Sequence, residues 1–286
     1  MWVSLGWKDY ELLDCGGGER LENWGGYLLR RPDPQAVWQP GGSPLWEQAR
    51  GVYTRSSSGG GSWEKKDLPD CWQVRYRELT FNIKAMNFKH TGVFPEQAAN
   101  WDFIDAKIKA AGRPVSVLNL FAYTGGATLA AAAAGASVCH VDAARGMVQQ
   151  AKENAKSSGL ENAPIRYIVD DCLKFIRREK TRGKRYDGIV MDPPSYGRGP
   201  SGELWKFEDN IEQLIAACAD ILSDGAIFFV VSSYTAGVSP SVPAYILGQT
   251  VKRRFGGRVD AQELGLPVKQ TGLYLPCGSA GRWERE

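Results

Sequence analysis

Four short stretches carry side chains able to hold a polar ligand: Tyr123-Thr124-Gly125-Gly126, Asp142, Asp170-Asp171-Cys172 and Asp192-Pro193-Pro194-Ser195-Tyr196. Asp142 lies seventeen positions beyond Gly125, a separation that suits a carboxylate accepting hydrogen bonds from both hydroxyls of a ribose; the competing reading is a helix cap. Asp171 can accept from the exocyclic amine of an adenine while the Cys172 N–H meets a ring nitrogen. In that reading Asp170 caps the helix, and the choice between the two aspartates leans to Asp171. Gly125 and Gly126 carry no Cβ to hold a ligand off the backbone, and the first N–H groups of a following helix point at whatever sits there. The turn FAYTGGATLA lacks the G-x-G-x-x-G spacing that makes room for a pyrophosphate. An adenosine with an amino-acid tail fits better than a dinucleotide: ribose on Asp142, adenine on Asp171 with the Cys172 N–H, and the tail over Tyr123–Gly126, with Phe121, Thr128 and Ala143 as further candidate cofactor contacts.

Asp192-Pro193-Pro194 offers different chemistry. Two prolines stiffen the backbone, so the Asp192 carboxylate and the Pro193 carbonyl can face a planar amine while Tyr196 stacks on its ring. The competing reading is a rigid loop that closes the ligand pocket.

These residues have to be positioned by the elements before them. Each of the four stretches follows a short apolar run: Val115–Phe121, Ser137–Val141, Ile165–Val169 and Tyr186–Met191. Helical patterns alternate with them, at about 96–111, Ala127–Ala134, Gly146–Ser158, from Asp171 to about Arg178, Phe207–Leu222 and Val242–Phe255, with a further strand at Ala226–Ser232. Alternating strands and helices predict an α/β fold with a doubly wound parallel sheet, in which ligands bind beyond the carboxyl ends of the strands.

The first eighty residues have another character. Seven of the ten tryptophans fall between Trp2 and Trp72 among Gly and Pro turns, and Tyr27–Arg30, Gly51–Arg55 and Trp72–Ile83 are rich in aromatic and β-branched residues. This predicts a small antiparallel β domain over residues 1–85, followed by a ligand-binding domain over 86–286. Ser56–Ser62 reads as a mobile hairpin tip. The tryptophans can stack on bases, but filling a small core is the simpler use for them.

Composition excludes several classes. No run approaches the roughly 18 apolar residues of a membrane span, and Met1–Tyr10 has no export-signal pattern, so the expectation is a cytoplasmic protein. Six cysteines without CxxC pairing and only two histidines predict neither a disulfide framework nor a metal site. The net charge of +3 is small, yet residues 177–185 carry six cations and residues 252–258 four. Such runs touch phosphates in some proteins and merely solvate helix ends in others.

Taken in order, NLFAYTGG, the strand-ending Asp142, DDC at Asp170–Cys172 and DPPSY at Asp192–Tyr196 resemble the motifs of class I S-adenosylmethionine-dependent methyltransferases. KHTGVFPEQ before the core, DPPSYGRG within it and LPCGSAGRW at the end resemble the branch containing the bacterial large-subunit ribosomal RNA methyltransferases. The resemblance covers roughly Asn87 to Trp283. It implies a Rossmann-like seven-stranded sheet with a final antiparallel hairpin, S-adenosyl-L-methionine as cofactor, and RNA as partner. It also implies that Thr91, Phe94, Pro95 and Gln97 form an extra wall against the cofactor; without it Phe94 reads as core. Members of this branch that methylate carbon 5 of cytosine use a cysteine after the fifth strand, where this chain has Ser232-Ser233. Serine is a far poorer nucleophile at neutral pH, so the expectation is direct in-line transfer with Asp192 to Tyr196 as the catalytic segment. A small-molecule or protein methyltransferase, or a cofactor-binding adaptor without turnover, are the alternatives.

Overall fold

The structure, a computed structural model, describes residues 1–56, 60–86, 88–198 and 204–285. The chain forms two compact units: Val3–Ala98 with Gly265–Cys277, and Ala99–Leu264 with Met1–Trp2 and Gly278–Glu286. The first of these units thus extends to Ala98, beyond the boundary expected at 85/86, and includes the C-terminal segment Gly265–Cys277. No sequence signal marks that inclusion, because 265–277 is hairpin-like in composition wherever it packs.

Strand β1 (Trp2–Val3) opens the chain, and β2 (Tyr10–Gly16), β3 (Glu19–Trp24), β4 (Tyr27–Pro32), β5 (Gly51–Arg55) and β6 (Gly61–Lys65) form a five-stranded sheet in that order. The β5–β6 hairpin confirms the turn expected at Ser56–Ser62, whose tip lies outside the described residues. A separate hairpin pairs β7 (Trp72–Tyr76) with β8 (Leu79–Ile83). Here two of the tryptophans, Trp24 and Trp72, are buried in the core. Trp24 is fully buried with its ring edge-on to Tyr10, and Trp7 packs on Tyr10 and Tyr76. Beside them Glu22 is buried and takes two bonds from the Arg31 guanidinium, at 2.6 and 2.8 Å, and one from the Tyr10 hydroxyl at 2.9 Å. Burial alone would raise the Glu22 carboxyl, but Arg20 and Arg31 hold it at about 2.

In the larger unit helix α1 (Ala98–Ala110) precedes β9 (Ser116–Leu120), α2 (Gly126–Ala133), β10 (Ser137–Asp142), α3 (Arg145–Ser157), β11 (Ile165–Val169), α4 (Cys172–Thr181) and β12 (Gly188–Met191). A two-stranded flap, β13 (Tyr196–Arg198) and β14 (Leu204–Lys206), interrupts the alternation before α5 (Phe207–Ala219), β15 (Phe228–Ser233), α6 (Ser241–Leu247), β16 (Arg258–Pro267) and β17 (Tyr274–Glu284). The helix expected over Val242–Phe255 is broken by a π turn at Gly248–Lys252.

The large sheet runs β1-β16-β17-β15-β12-β9-β10-β11, eight strands and not seven, because Trp2–Val3 adds to the edge. Pairs from β11 to β15 are parallel, and β17 is antiparallel to β15. Alternation along β9 sorts its residues: Leu118 and Leu120 face a core built with α4 and α5, while Val117 faces one built with α1 and α2. Each such buried aliphatic side chain contributes roughly 1.5–3 kcal/mol. Because β9 has β10 on one side and β12 on the other, the strand order reverses between β9 and β12. A crevice at that reversal is where this architecture binds ligands.

Candidate cofactor and acceptor site

The turn after β9 is held in an uncommon backbone shape. Phe121 and Tyr123 have φ of 52° and 51°, in the left-handed region that costs a residue with a Cβ about 1–3 kcal/mol. Asp142, at the end of β10, compensates: its Oδ2 accepts from the Tyr123 N–H at 2.8 Å and its Oδ1 from the Ala144 N–H at 2.8 Å. Each carboxylate oxygen carries two lone pairs, so one acceptor direction on each remains for a pair of neighbouring hydroxyls. Burial raises the Asp142 carboxyl and the two backbone donors pull it back only in part.

Below the turn lies a buried polar chain. Asn119 Nδ2 donates to the Thr128 hydroxyl at 2.9 Å, and that hydroxyl is 2.9 Å from His140 Nδ1. Burial pushes the His140 ring down to about 3, so it is neutral. Thr128 is fully buried and used by these partners. It supports the turn from beneath. Thr124 is also buried, and its carbonyl accepts from Asn154 at 2.9 Å.

The glycine pair is closely approached by its protein neighbours. A Cβ on Gly126 would stand 2.3 Å from Trp101 Cζ2, and one on Gly125 would stand 3.1 Å from both Ala151 Cβ and Leu129 Cδ1. Gly125 also has φ of 91°. Packing therefore disfavours a side chain at both positions. Gly125 is the N-cap of α2 and supplies no side-chain oxygen, so the helix has no side-chain cap and its first N–H groups stay open for a carboxylate.

At the end of β11, Asp171 is the N-cap of α4, its Oδ1 accepting from the Lys174 N–H at 2.8 Å. Asp170 instead accepts from the Asp171 N–H at 2.9 Å and pairs with Arg178. The cap thus belongs to Asp171 and not Asp170, for one steric reason: only Asp171 directly precedes the helix. Asp171 keeps Oδ2 as an acceptor. Cys172 is buried, its sulfur accepts from the Phe121 N–H at 3.4 Å, and burial pushes its thiol up, so it ties β9 to α4 and is no nucleophile.

Asp192 follows β12, its N–H donating to the Leu120 carbonyl at 3.4 Å across the strand reversal. The segment beyond it is braced from three sides. The Trp205 indole N–H donates to the Pro194 carbonyl at 2.6 Å, the Thr235 hydroxyl donates to Ser195 Oγ at 2.9 Å, and the Phe207 N–H donates to the Ser195 carbonyl at 3.0 Å. Tyr196 is exposed on the flap. Trp205 also packs on Phe121, ring centroids 5.7 Å apart, which links the acceptor segment to the cofactor turn. Sequence reasoning missed Trp205 and Thr235; an isolated Trp in a polar loop was the one visible signal. Ser232 and Ser233 are buried at 1 % and 2 % exposure, and Asn100 Nδ2 donates to the Ser232 hydroxyl at 3.3 Å.

Thr91, Phe94, Pro95 and Gln97 belong to the β-rich unit and are held by its own contacts. Phe94 stacks against His90 at 5.1 Å, the Pro95 carbonyl accepts from Trp7 at 3.1 Å, and Gln97 donates its N–H to the Phe94 carbonyl at 3.1 Å.

A reversing parallel sheet, a ribose-suited aspartate after its second parallel strand, an uncapped helix after its first and a stiffened Asp-Pro-Pro after its fourth define an enzyme of the adenosyl-cofactor class. The chain belongs to the S-adenosylmethionine-dependent methyltransferase family, whose model matches residues 42–243. It is similar to a SAM-dependent methyltransferase from Agrobacterium tumefaciens, with 38% identity and a TM-score of 0.94 over 99% of this chain and 93% of the other. It also shares its fold with SMU.776, solved in complex with SAH, at 19% identity and a TM-score of 0.71 over 96% of this chain and 75% of that one. Among curated proteins, ribosomal RNA large subunit methyltransferase I of Shewanella denitrificans is 40% identical over 104 residues, which are 36% of this chain and 23% of that protein. Ribosomal RNA large subunit methyltransferase K/L of Shewanella frigidimarina is 30% identical over 152 residues, 52% of this chain and 20% of that one. The chain thus matches about a quarter or less of these curated relatives' length. Among the described residues no helix is long and apolar enough to cross a membrane.

Proposed function

We propose that this methyltransferase modifies a nitrogen of a nucleobase in structured RNA, with ribosomal RNA the substrate its curated relatives' names suggest. The observation that carries the reading is the three-point bracing of Asp192 to Tyr196 beside the cofactor turn. S-adenosylmethionine supplies a methyl group on an already activated sulfonium, so the protein's task is to align an acceptor with it. Asp142 holds the ribose hydroxyls, Asp171 Oδ2 and the Cys172 N–H read the adenine, and the open end of α2 receives the amino-acid carboxylate. Asp192 and the Pro193 carbonyl accept from the exocyclic or ring N–H of the base, which turns the nitrogen lone pair toward the methyl. Tyr196 stacks on the base. The proton leaves the acceptor nitrogen to Asp192 or to water. Extruding an unpaired base costs less than a paired one, which favours a loop or an incompletely assembled RNA. With such a substrate the enzyme works in the cytoplasm.

Two buried serines where a nucleophilic cysteine would stand argue against attack on carbon 5 of a pyrimidine. Incubation with methyl-labelled cofactor and total bacterial RNA, followed by nucleoside mass spectrometry, tests the reading. Label in an N-methylated nucleoside supports it; label only in 5-methylcytidine, protein or small molecules overturns it.

A further inference from the structure

The two basic runs of the sequence lie seventy residues apart, yet in the larger unit they meet on one carboxylate. Asp220, just beyond α5, accepts from Lys180 of the first run at 2.6 Å and from Arg254 of the second at 3.0 Å, and Arg254 also donates to the Ala219 carbonyl at 3.3 Å. Arg178 pairs with Asp170, and Arg182 with Glu179 at 3.0 Å. After these pairings Arg177, Lys184, Arg185, Lys252 and Arg253 are all exposed and make no ion pair among the described residues. The whole chain carries only +3, so this concentration of unneutralised cations is set against a surface that is acidic on balance elsewhere. Solvation of a helix end does not require two distant segments to be clamped together through one carboxylate. The second run also emerges from the π turn at Gly248–Lys252, a rare conformation that concentrates at functional sites.

From this convergence we propose that the face formed by the end of α4, the 182–187 loop and residues 252–254 is an anchoring surface for the phosphate backbone of RNA. The 182–187 loop enters β12 at its amino end, whereas Asp192 follows its carboxyl end. Four residues of strand rise at about 3.3 Å each separate the two, so the anchor lies on the opposite edge of the sheet from the acceptor segment. A single nucleotide cannot engage both; a folded RNA that wraps the sheet can. The contacts read charge and not sequence, so they add affinity without choosing the base. The inference rests on RNA being the substrate.

The test compares the full chain with Lys184→Gln/Arg185→Gln/Lys252→Gln/Arg253→Gln and with a control that removes the same charge elsewhere, Arg55→Gln/Lys65→Gln/Lys66→Gln/Lys156→Gln. Binding of a fluorescein-labelled 30-nucleotide RNA hairpin is followed by anisotropy across a salt series, beside calorimetric binding of S-adenosylmethionine. Each phosphate contact adds about 0.7–0.9 to the slope of log K against log salt. The expected result is a slope shallower by about 3 for the first variant, unchanged for the control, with cofactor binding equal in all three. An unchanged slope in the first variant, or an equal loss in the control, overturns the anchor while RNA methylation by the native chain still stands. A native chain that neither binds nor methylates RNA, or that binds vesicles containing phosphatidylserine in its place, overturns both.

Discussion

Replacing Gly126 by alanine would set a methyl carbon 2.3 Å from Trp101 Cζ2 and 2.8 Å from Cε2. No real contact is that short, so either the indole or the first turn of α2 must move. Trp101 is only 4 % exposed and has little room to yield. Overpacking of this kind costs about 1–3 kcal/mol, while alanine in place of glycine returns up to about 1 kcal/mol of helix propensity. The expected net loss is about 1–2 kcal/mol, read as a lower urea midpoint at unchanged slope. Phenylalanine at position 101 has a single ring and lacks the Cζ2 edge of the indole. The double variant Gly126→Ala/Trp101→Phe should therefore be more stable than the sum of its single variants by about 1–2 kcal/mol. Cofactor affinity, measured by calorimetry, should recover together with that stability. The reasoning fails if Gly126→Ala leaves the midpoint alone yet weakens cofactor binding, since the glycine would then be clearing space for the ligand.

Asp142→Asn leaves an amide group facing the Tyr123 or Ala144 N–H, an uncompensated clash of donors worth about 1–3 kcal/mol. Cofactor Kd should rise about 10- to 100-fold by calorimetry. Because burial raises the Asp142 carboxyl, cofactor affinity should fall on acidification beginning above the usual aspartate range, and the asparagine variant should lack that limb. Trp205→Phe keeps a ring against Phe121 and deletes the bond to the Pro194 carbonyl; kcat should drop about tenfold with cofactor Kd unchanged, and amide exchange over 195–197 should quicken. In the β-rich unit, Glu22 is held at about 2 against an unfolded value of 4.5, so its stabilisation is complete above pH 4.5 and is lost as the pH falls toward 2. That amounts to about 3 kcal/mol, and Glu22→Gln should flatten this acid limb in urea titrations while lowering the neutral plateau.

The parallel core was legible because its strands are short apolar runs bounded by Gly, Asp and Pro. Ile165–Val169 and Gly51–Arg55 have the bounds their patterns predict, and the others agree within a few residues. The place of Asp142 at a strand end was legible for the same reason. The packing role of the glycine pair was not legible, since a missing Cβ can serve a ligand or a neighbouring indole and the sequence does not bring Trp101 to Gly126. Asp170 and Asp171 differ only in which one directly precedes the helix, a choice finer than periodicity resolves. Trp205 and Thr235 act through contacts 11 and 40 residues away, and no local pattern encodes such pairs. The basic runs looked like separate solvated ends because Asp220, the residue that joins them, belongs to neither.

The central claim is that the braced Asp192–Tyr196 segment presents a base nitrogen of RNA to the cofactor. Its most direct test is nucleoside mass spectrometry of RNA methylated by the native chain and by Asp192→Asn. The account predicts an N-methylated nucleoside from the native chain and at least a hundredfold slower formation by the variant, with cofactor binding retained. A 5-methylcytidine product, or an Asp192→Asn variant as fast as the native chain, would contradict it.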